Sequence, residues 1–539
     1  MKELTELKFE DLSIDQKLGM VVCGTLLPVR ESEVALYGTF EENIDFVIEL
    51  IKNHSLGAVW IDSGLTLRRP DIMARVREAA DYPILIFTDA ERGIGENRIG
   101  SQNAIGIADS EELAYAFGKV TAVTARKLGY NVVCNPLLDM TDFSASCGGP
   151  CRYIGSDKVR VTELAAAEAR GMHDGGVLTV AKHYPGTNER MDSHMAPDAT
   201  NIPIDKIINY NLYPYVQLSK ENLIDGIMKG HHSVLSIDEE YPVSVSMKAT
   251  ELIRNLGFDG FMITDALDMM GLRAKYGDTK LKGLSIAGGN EFALPWFSAR
   301  KAYWDMVECY KSGMITDERL DDAVRRVLKA QHKANVMCES CTTELKSEDY
   351  ENLHKINLSS VYSMSDEGVD NSISRDGKHY FAVMVPNQAA VTDDGKLVDE
   401  SFSQRWYTPA KTVEKIKELF PNSECRVIYE HPTPRQNADV LSYSLGCKEV
   451  IFIAYGDAAP SAGSDRFTPR LLALMEAMQM TGRLTTMLYF GNPFVMEDVP
   501  HIKRRLIGTL AQGSIDVALD ILAGKGEALG TPTYKINLK

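Results

Sequence analysis

The chain has 539 residues, more than one ordinary domain needs, so two or three domains are expected. Apolar residues make up 44%, enough for large cores, and 58 Lys and Arg against 75 Asp and Glu leave a net charge of -17, which argues against nucleic acid or an anionic membrane surface as partner. No run approaches the ~18 to 20 apolar residues of a membrane span, and the opening Met1–Leu7 is charged and lacks the apolar core of an export signal, so cytoplasm is the expected compartment.

From about residue 18 to 340, short β-rich runs alternate with helical patterns. The predicted strands are 18–22, 58–61, 84–88, 132–135, 178–182, 225–228 and 261–264, with a weaker eighth at 285–287. Amphipathic stretches such as 111–128 and 161–172 lie between them. Eight alternations over this length predict a (β/α)8 TIM-type barrel across residues 1–345 rather than an open sheet. No Gly-x-Gly-x-x-Gly follows the first strand, which argues against a dinucleotide fold. Thr316 reads as the N-cap of a helix with Leu320, Val324, Val327 and Leu328 on its apolar face. A polar linker is expected at 346–375. A second alternating set opens at His379, continues with strands 426–429, 449–454 and 485–490 and helices 412–419 and 470–478, and predicts a smaller α/β sandwich domain with a mainly parallel sheet over 376–539.

Nine cysteines are dispersed, and Cys23, Cys134 and Cys309 sit in apolar runs, so reduced core thiols are expected. Cys338 and Cys341 form a lone Cys-x-x-Cys with no second pair nearby. Neither a structural metal nor a redox role is expected from it.

The ends of the predicted strands carry the chemistry. Asp89 follows Ile-Phe-Thr, Asn135 and Asp139 follow Val-Val-Cys, and Lys182 and His183 follow Thr-Val-Ala. His231 and His232 lie past Ile227-Met228, and Asp265 follows Phe-Met-Ile-Thr. In a barrel all these positions face one carboxyl-terminal mouth. A single strand-end carboxylate as readily caps a helix or turn, but five strand ends together point to one polar pocket. Beyond Lys182-His183-Tyr184-Pro185-Gly186 comes Asp192-Ser193-His194, where the carboxylate can hold the imidazole in one tautomer and raise its basicity. Alone, an Asp-x-His is commonly structural. Asp268 reads as a cap of the next helix, and Glu91 as structural.

These residues give the chain a resemblance to glycoside hydrolase family 3, in its β-N-acetylglucosaminidase branch. Leu12–Gly19 is similar to the opening helix, Phe87-Thr88-Asp89-Ala90-Glu91 to the early Asp-x-Glu motif, and Ala181–Gly186 with Asp192-Ser193-His194 to the branch's signature loop. Leu256–Met269 resembles the nucleophile strand, and Gly491-Asn492-Pro493 fits a turn of the second domain. The resemblance implies a retaining exo-acting β-N-acetylhexosaminidase that releases terminal β-linked GlcNAc, with cell-wall fragments as an expected source. It implies Asp265 as nucleophile, His194 as general acid/base oriented by Asp192, and Asp89, Arg152, Lys182, His183 and His231 as the grip on the sugar. A retaining glycosidase needs a carboxylate close beneath the anomeric carbon and a proton donor beside the leaving oxygen, and an imidazole donor adds no second anion near Asp265.

Two departures from the family pattern stand out. Gly186 is followed by Thr187-Asn188-Glu189-Arg190-Met191, a loop about one residue shorter that lacks a His-Gly, and the early motif runs Glu91-Arg92-Gly93-Ile94-Gly95 with its arginine displaced. Alternatives therefore stay open: a phosphorylase, a β-glucosidase, or a non-catalytic sugar-binding homologue. A metal-dependent barrel hydrolase using His183, His194 and His231 would need a His-x-His on its first strand, which is missing. The expected partner is a small GlcNAc-containing carbohydrate, with no cofactor and no metal; a homodimer is compatible with the sequence.

Overall fold

The computed structural model describes residues 4–28, 34–141, 149–186, 192–296, 298–341, 344–385, 389–391, 397–399, 409–456 and 466–538. The chain divides into two compact units: Met1–Arg98, Ala114–Met140 and Asp157–Leu353 form the first, and Ile99–Leu113, Thr141–Ser156 and His354–Lys539 the second. Among the described residues no helix is long and apolar enough to cross a membrane.

The first unit opens with the helix Ile14–Met20, because Ser13 and Gln16 satisfy each other's backbone N–H groups in a capping box. The strand expected at 18–22 is corrected by this: Leu18 to Met20 are the buried end of a helix, and β1 begins at Cys23. Seven parallel strands follow in chain order around one sheet: β1 (Cys23–Leu26), β2 (Ala58–Ile61), β3 (Leu85–Thr88), β4 (Val132–Val133), β5 (Leu178–Tyr184), β6 (Gly226–Lys229) and β7 (Phe261–Thr264).

The ring closes through two residues. The Phe292 N–H donates to Met262 O (3.1 Å) and Thr264 N–H to Phe292 O (3.2 Å) on one side. On the other, Cys23 N–H donates to Ala293 O and Ala293 N–H to Val21 O, both at 3.0 Å. The eighth stave is therefore at 292–293, not at 285–287. That apolar run instead lies in the helix Asp278–Ala287, where Leu281, Ser285 and Ile286 share the buried side at helical spacing. Inside the ring, Phe87, Phe261 and Phe292 meet edge-to-face with centroids 5.8 to 5.9 Å apart. Such pairs stabilise by roughly 0.5–1.5 kcal/mol beyond their burial and make the barrel a filled core rather than a pore.

The second unit carries a six-stranded sheet: β8 (Val361–Ser363), β9 (Tyr380–Val385), β10 (Glu424–Tyr429), β11 (Val450–Tyr455), β12 (Leu484–Phe490) and β13 (Arg504–Gly508), in the order β8-β13-β12-β11-β9-β10. Only β8 and β13 pair antiparallel. Alternate residues feed two cores. Tyr380, Phe452, Met487 and Tyr489 pack with Leu471 and Met475 of the helix Pro469–Met480, while Phe381, Ile451, Ile453 and Leu488 pack with Leu519 and Leu522 of the helix Ser514–Leu522. A mainly parallel sheet covered on both faces is the sandwich that the sequence predicts. The stretch expected as a linker holds the helix Ser347–Ser359 and β8.

Candidate active site

Because the barrel strands are parallel, their carboxyl ends share one mouth, and the loops leaving them set the polar groups. After β4 the chain runs alongside the end of β5: Lys182 N–H donates to Pro136 O (3.1 Å), Leu138 N–H to Lys182 O (2.7 Å) and Met140 N–H to Gly186 O (3.1 Å). This alignment brings the buried Asp139 against His183. One oxygen, Asp139 Oδ2, accepts both the His183 backbone N–H (3.0 Å) and ring Nδ1–H (2.9 Å). His183 Nε2 then lies 3.8 Å from Asp265 Oδ2.

Lys182 is 3% exposed and its ammonium sits between two carboxylates, Asp89 Oδ1 at 2.6 Å and Glu91 Oε1 at 2.8 Å. Asp89 keeps 45% of its side chain in the open, so it can still meet a ligand. Glu91, expected to be structural, is the second anchor of Lys182.

Asp265 leaves β7 with its N–H donating to Lys229 O (3.0 Å), and Oδ1 accepts the Ala266 N–H (2.8 Å). His231 Nε2 donates to Ala266 O at 2.8 Å. Burial alone would raise the Asp265 carboxyl, but His183, His231, the Ala266 N–H and His194 outweigh it and hold it at about 2. Burial also pulls the His183 imidazole down, yet Asp139 and then Asp265 overcome it, against Lys182, and keep it above its ordinary value. Asp265 is thus an ionised carboxylate beside an imidazole whose protonated form is favoured, with a quarter of its side chain exposed.

The Asp192–His194 pair forms as the sequence predicts. Asp192 Oδ1 accepts the His194 backbone N–H (3.0 Å) and Nδ1–H (2.9 Å), which leaves Nε2 to carry a proton outward from a ring 39% exposed. The helix Met270–Tyr276 anchors this segment: Gly271 N–H donates to Ser193 O (3.0 Å) and Met270 N–H to His194 O (3.3 Å). Gly271 permits the approach, since a Cβ there would lie 2.6 Å from Ser193 O and Ala196 O. Residues 187–191, where the loop departs from the family pattern, lie outside the described residues.

The barrel mouth therefore gathers Asp89, Lys182, His183, Asp192, His194, His231 and Asp265. Arg152 belongs to the second unit, in a turn where its N–H donates to Gly149 O (2.8 Å). Asp268 is not the cap that its position suggests: the N-cap is Met269, without a side-chain bond. Burial, with the nearby Asp265, raises the Asp268 carboxyl to about 6. Asp139 was legible only as one more polar strand end; its pairing with His183 depends on how two loops align. The eight described cysteines are free thiols, and among the described residues no group of three or more His, Cys, Asp or Glu is placed to hold a metal ion.

The pattern of the glycosyl hydrolase family 3 N terminal domain matches residues 18–330. Beta-hexosaminidase LpqI of Mycobacterium bovis is 32% identical over 299 residues, covering 52% of this chain and 76% of that protein. Its Mycobacterium tuberculosis counterpart is 28% identical over 299 residues, with the same coverage. Among solved structures, a glycoside hydrolase family 3 beta-N-acetylglucosaminidase from Paenibacillus superposes with a TM-score of 0.78 at 20% identity, covering 98% of this chain and 100% of that one. The beta-glucoside phosphorylase BglX also reaches 0.78 at 20% identity, covering 98% and 95%. At these identities the structural likeness is one of fold, and it extends over both units. With more than half of its length matched by the family pattern, the chain belongs to glycosyl hydrolase family 3, a family of glycoside hydrolases.

Proposed function

We propose that this glycoside hydrolase is a retaining, exo-acting β-N-acetylhexosaminidase that removes terminal β-linked GlcNAc. Asp265 attacks the anomeric carbon while His194 Nε2–H protonates the leaving oxygen, giving a glycosyl ester on Asp265 and a neutral His194. His194 then takes a proton from water as the water attacks the ester, which releases the sugar with retained configuration and restores both groups. Asp192 accepts the Nδ1–H and so fixes the ring, leaving the outward Nε2 as the nitrogen that gives and takes the transferred proton. Asp89, Lys182, His183 and His231 are assigned to hold the sugar. The observation that carries this reading is an ionised Asp265 whose following helix ties down the Asp192–His194 pair. The names of the sequence relatives, beta-hexosaminidases, support the choice of sugar.

A 5-fluoro-GlcNAc-type inactivator tests the nucleophile: mass spectrometry is expected to find the glycosyl adduct on the peptide holding Asp265, and labelling elsewhere rejects the assignment. Replacing His194 with Gln is expected to slow substrates with poor leaving groups far more than activated nitrophenyl ones. Equal slowing would remove His194 as the acid.

A second reading exchanges phosphate for water. Its support is that the proton donor is an imidazole, which sets no extra anion in the path of an incoming phosphate. Formation of GlcNAc 1-phosphate when turnover is run in phosphate distinguishes the two.

A further inference from the structure

We infer that Asp139 is a positioning residue for the reaction: it locks His183 with its Nε2 proton aimed at Asp265, making a carboxylate–imidazole–carboxylate row across the barrel mouth. This rests on the reading of Asp265 as nucleophile. The two hydrogen bonds from His183 to the single oxygen Oδ2 fix the ring relative to its own backbone, so the imidazole cannot rotate away without breaking both. Asp139 is itself held by the pairing of 136–140 along 182–186, and its side chain is only 3% exposed.

The groups facing His183 are Asp139 on the β4 loop, Asp265 at the end of β7, and Lys182 beside it on β5. His232 approaches from the β6 end: a Cβ on Gly230 would lie 3.2 Å from His232 Nδ1 and 3.4 Å from His183 Cβ. Two carboxylates share the imidazolium in the free enzyme. Once Asp265 becomes an ester, its charge is gone and only Asp139 among these groups still balances the ring. His183 therefore keeps its proton through the intermediate, with no net proton transfer, and is already cationic when the Asp265 carboxylate must depart in the second step. A neutral ring at that stage would offer no stabilisation to the leaving carboxylate.

The test is nitrogen NMR of the full chain labelled with 15N-histidine, with His183 identified by the signal lost in His183→Gln. In the wild type both His183 nitrogens are expected to be protonated at neutral pH; an unprotonated Nδ1 there overturns the proposal without any variant. Asp139→Asn keeps an oxygen able to accept both bonds but removes the charge. The His183 titration is expected to move down by about one pH unit or more, tenfold in the proton equilibrium, while the near-ultraviolet circular dichroism stays native. An unchanged titration in a folded Asp139→Asn protein would leave Asp139 a loop clamp and nothing more. These signals do not depend on turnover, so a failed Asp265 adduct and a failed Asp139 assignment are told apart.

Discussion

The titration of single residues sets what the site can do. The depressed pKa of Asp265 means that its carboxylate persists well below the ordinary range, and the stability it contributes is present above about pH 4 and fades as pH falls through about 2. His183 runs the other way: its raised pKa contributes stability below the ordinary imidazole value, lost as pH rises through the shifted one. Since His183 is the first of the charges holding Asp265 down, His183→Gln is expected to move the acidic limb of kcat/KM to higher pH, by on the order of one unit. Measuring that profile with an activated aryl GlcNAc substrate separates the proposed nucleophile from the proposed acid. A limb that stays in place would mean that His183 does not control Asp265. At this scale the sequence was informative about which residue types line the mouth, because each polar group directly follows an apolar strand run. It was silent about the pairing of Asp139 and Glu91, whose partners His183 and Lys182 lie 44 and more than 90 residues away.

Elements deliver those residues to one place. Strands 58–61 and 261–264 are predicted to the residue, since four consecutive buried side chains end at a polar one. The eighth stave escapes a periodicity search, because only two residues pair and nothing repeats. β13 was missed for another reason: it opens on Arg504-Arg505, and the buried Arg505 guanidinium is satisfied by Asp366 at 2.9 to 3.0 Å and by the carbonyls of Met364 and Pro500. The helix Met270–Tyr276 has the most direct functional leverage, since its first turn holds Ser193 and His194. Gly271→Ala is expected to push that segment outward, with the largest kcat losses on poor leaving groups and a lowered Tm. Calorimetry beside a leaving-group series checks it, and a uniform loss over all leaving groups would deny the link to proton donation.

For the molecule as a whole, two domain types in the right order were legible, because helix and strand periods alternate differently in the two halves. The exchange of segments was not, as 99–113 and 141–156 read as ordinary barrel connections until their contacts are seen. A chain ended after Leu353 should therefore behave poorly: the barrel's strands are all present, but these two segments lose the rest of their unit. Reduced soluble yield, compared with the full chain by gel filtration, is the expected result; an equally soluble, monodisperse truncation would contradict it.

That exchange also dictates an order of events at the ribosome. Residues 99–113 emerge early and meet Tyr153 and Ile154 soon after, but more than 200 further residues must follow before the rest of their unit, from His354 on, exists. Synthesis of this chain thus passes through an interval in which every barrel strand has emerged while 99–113 and 141–156 still lack the greater part of their unit.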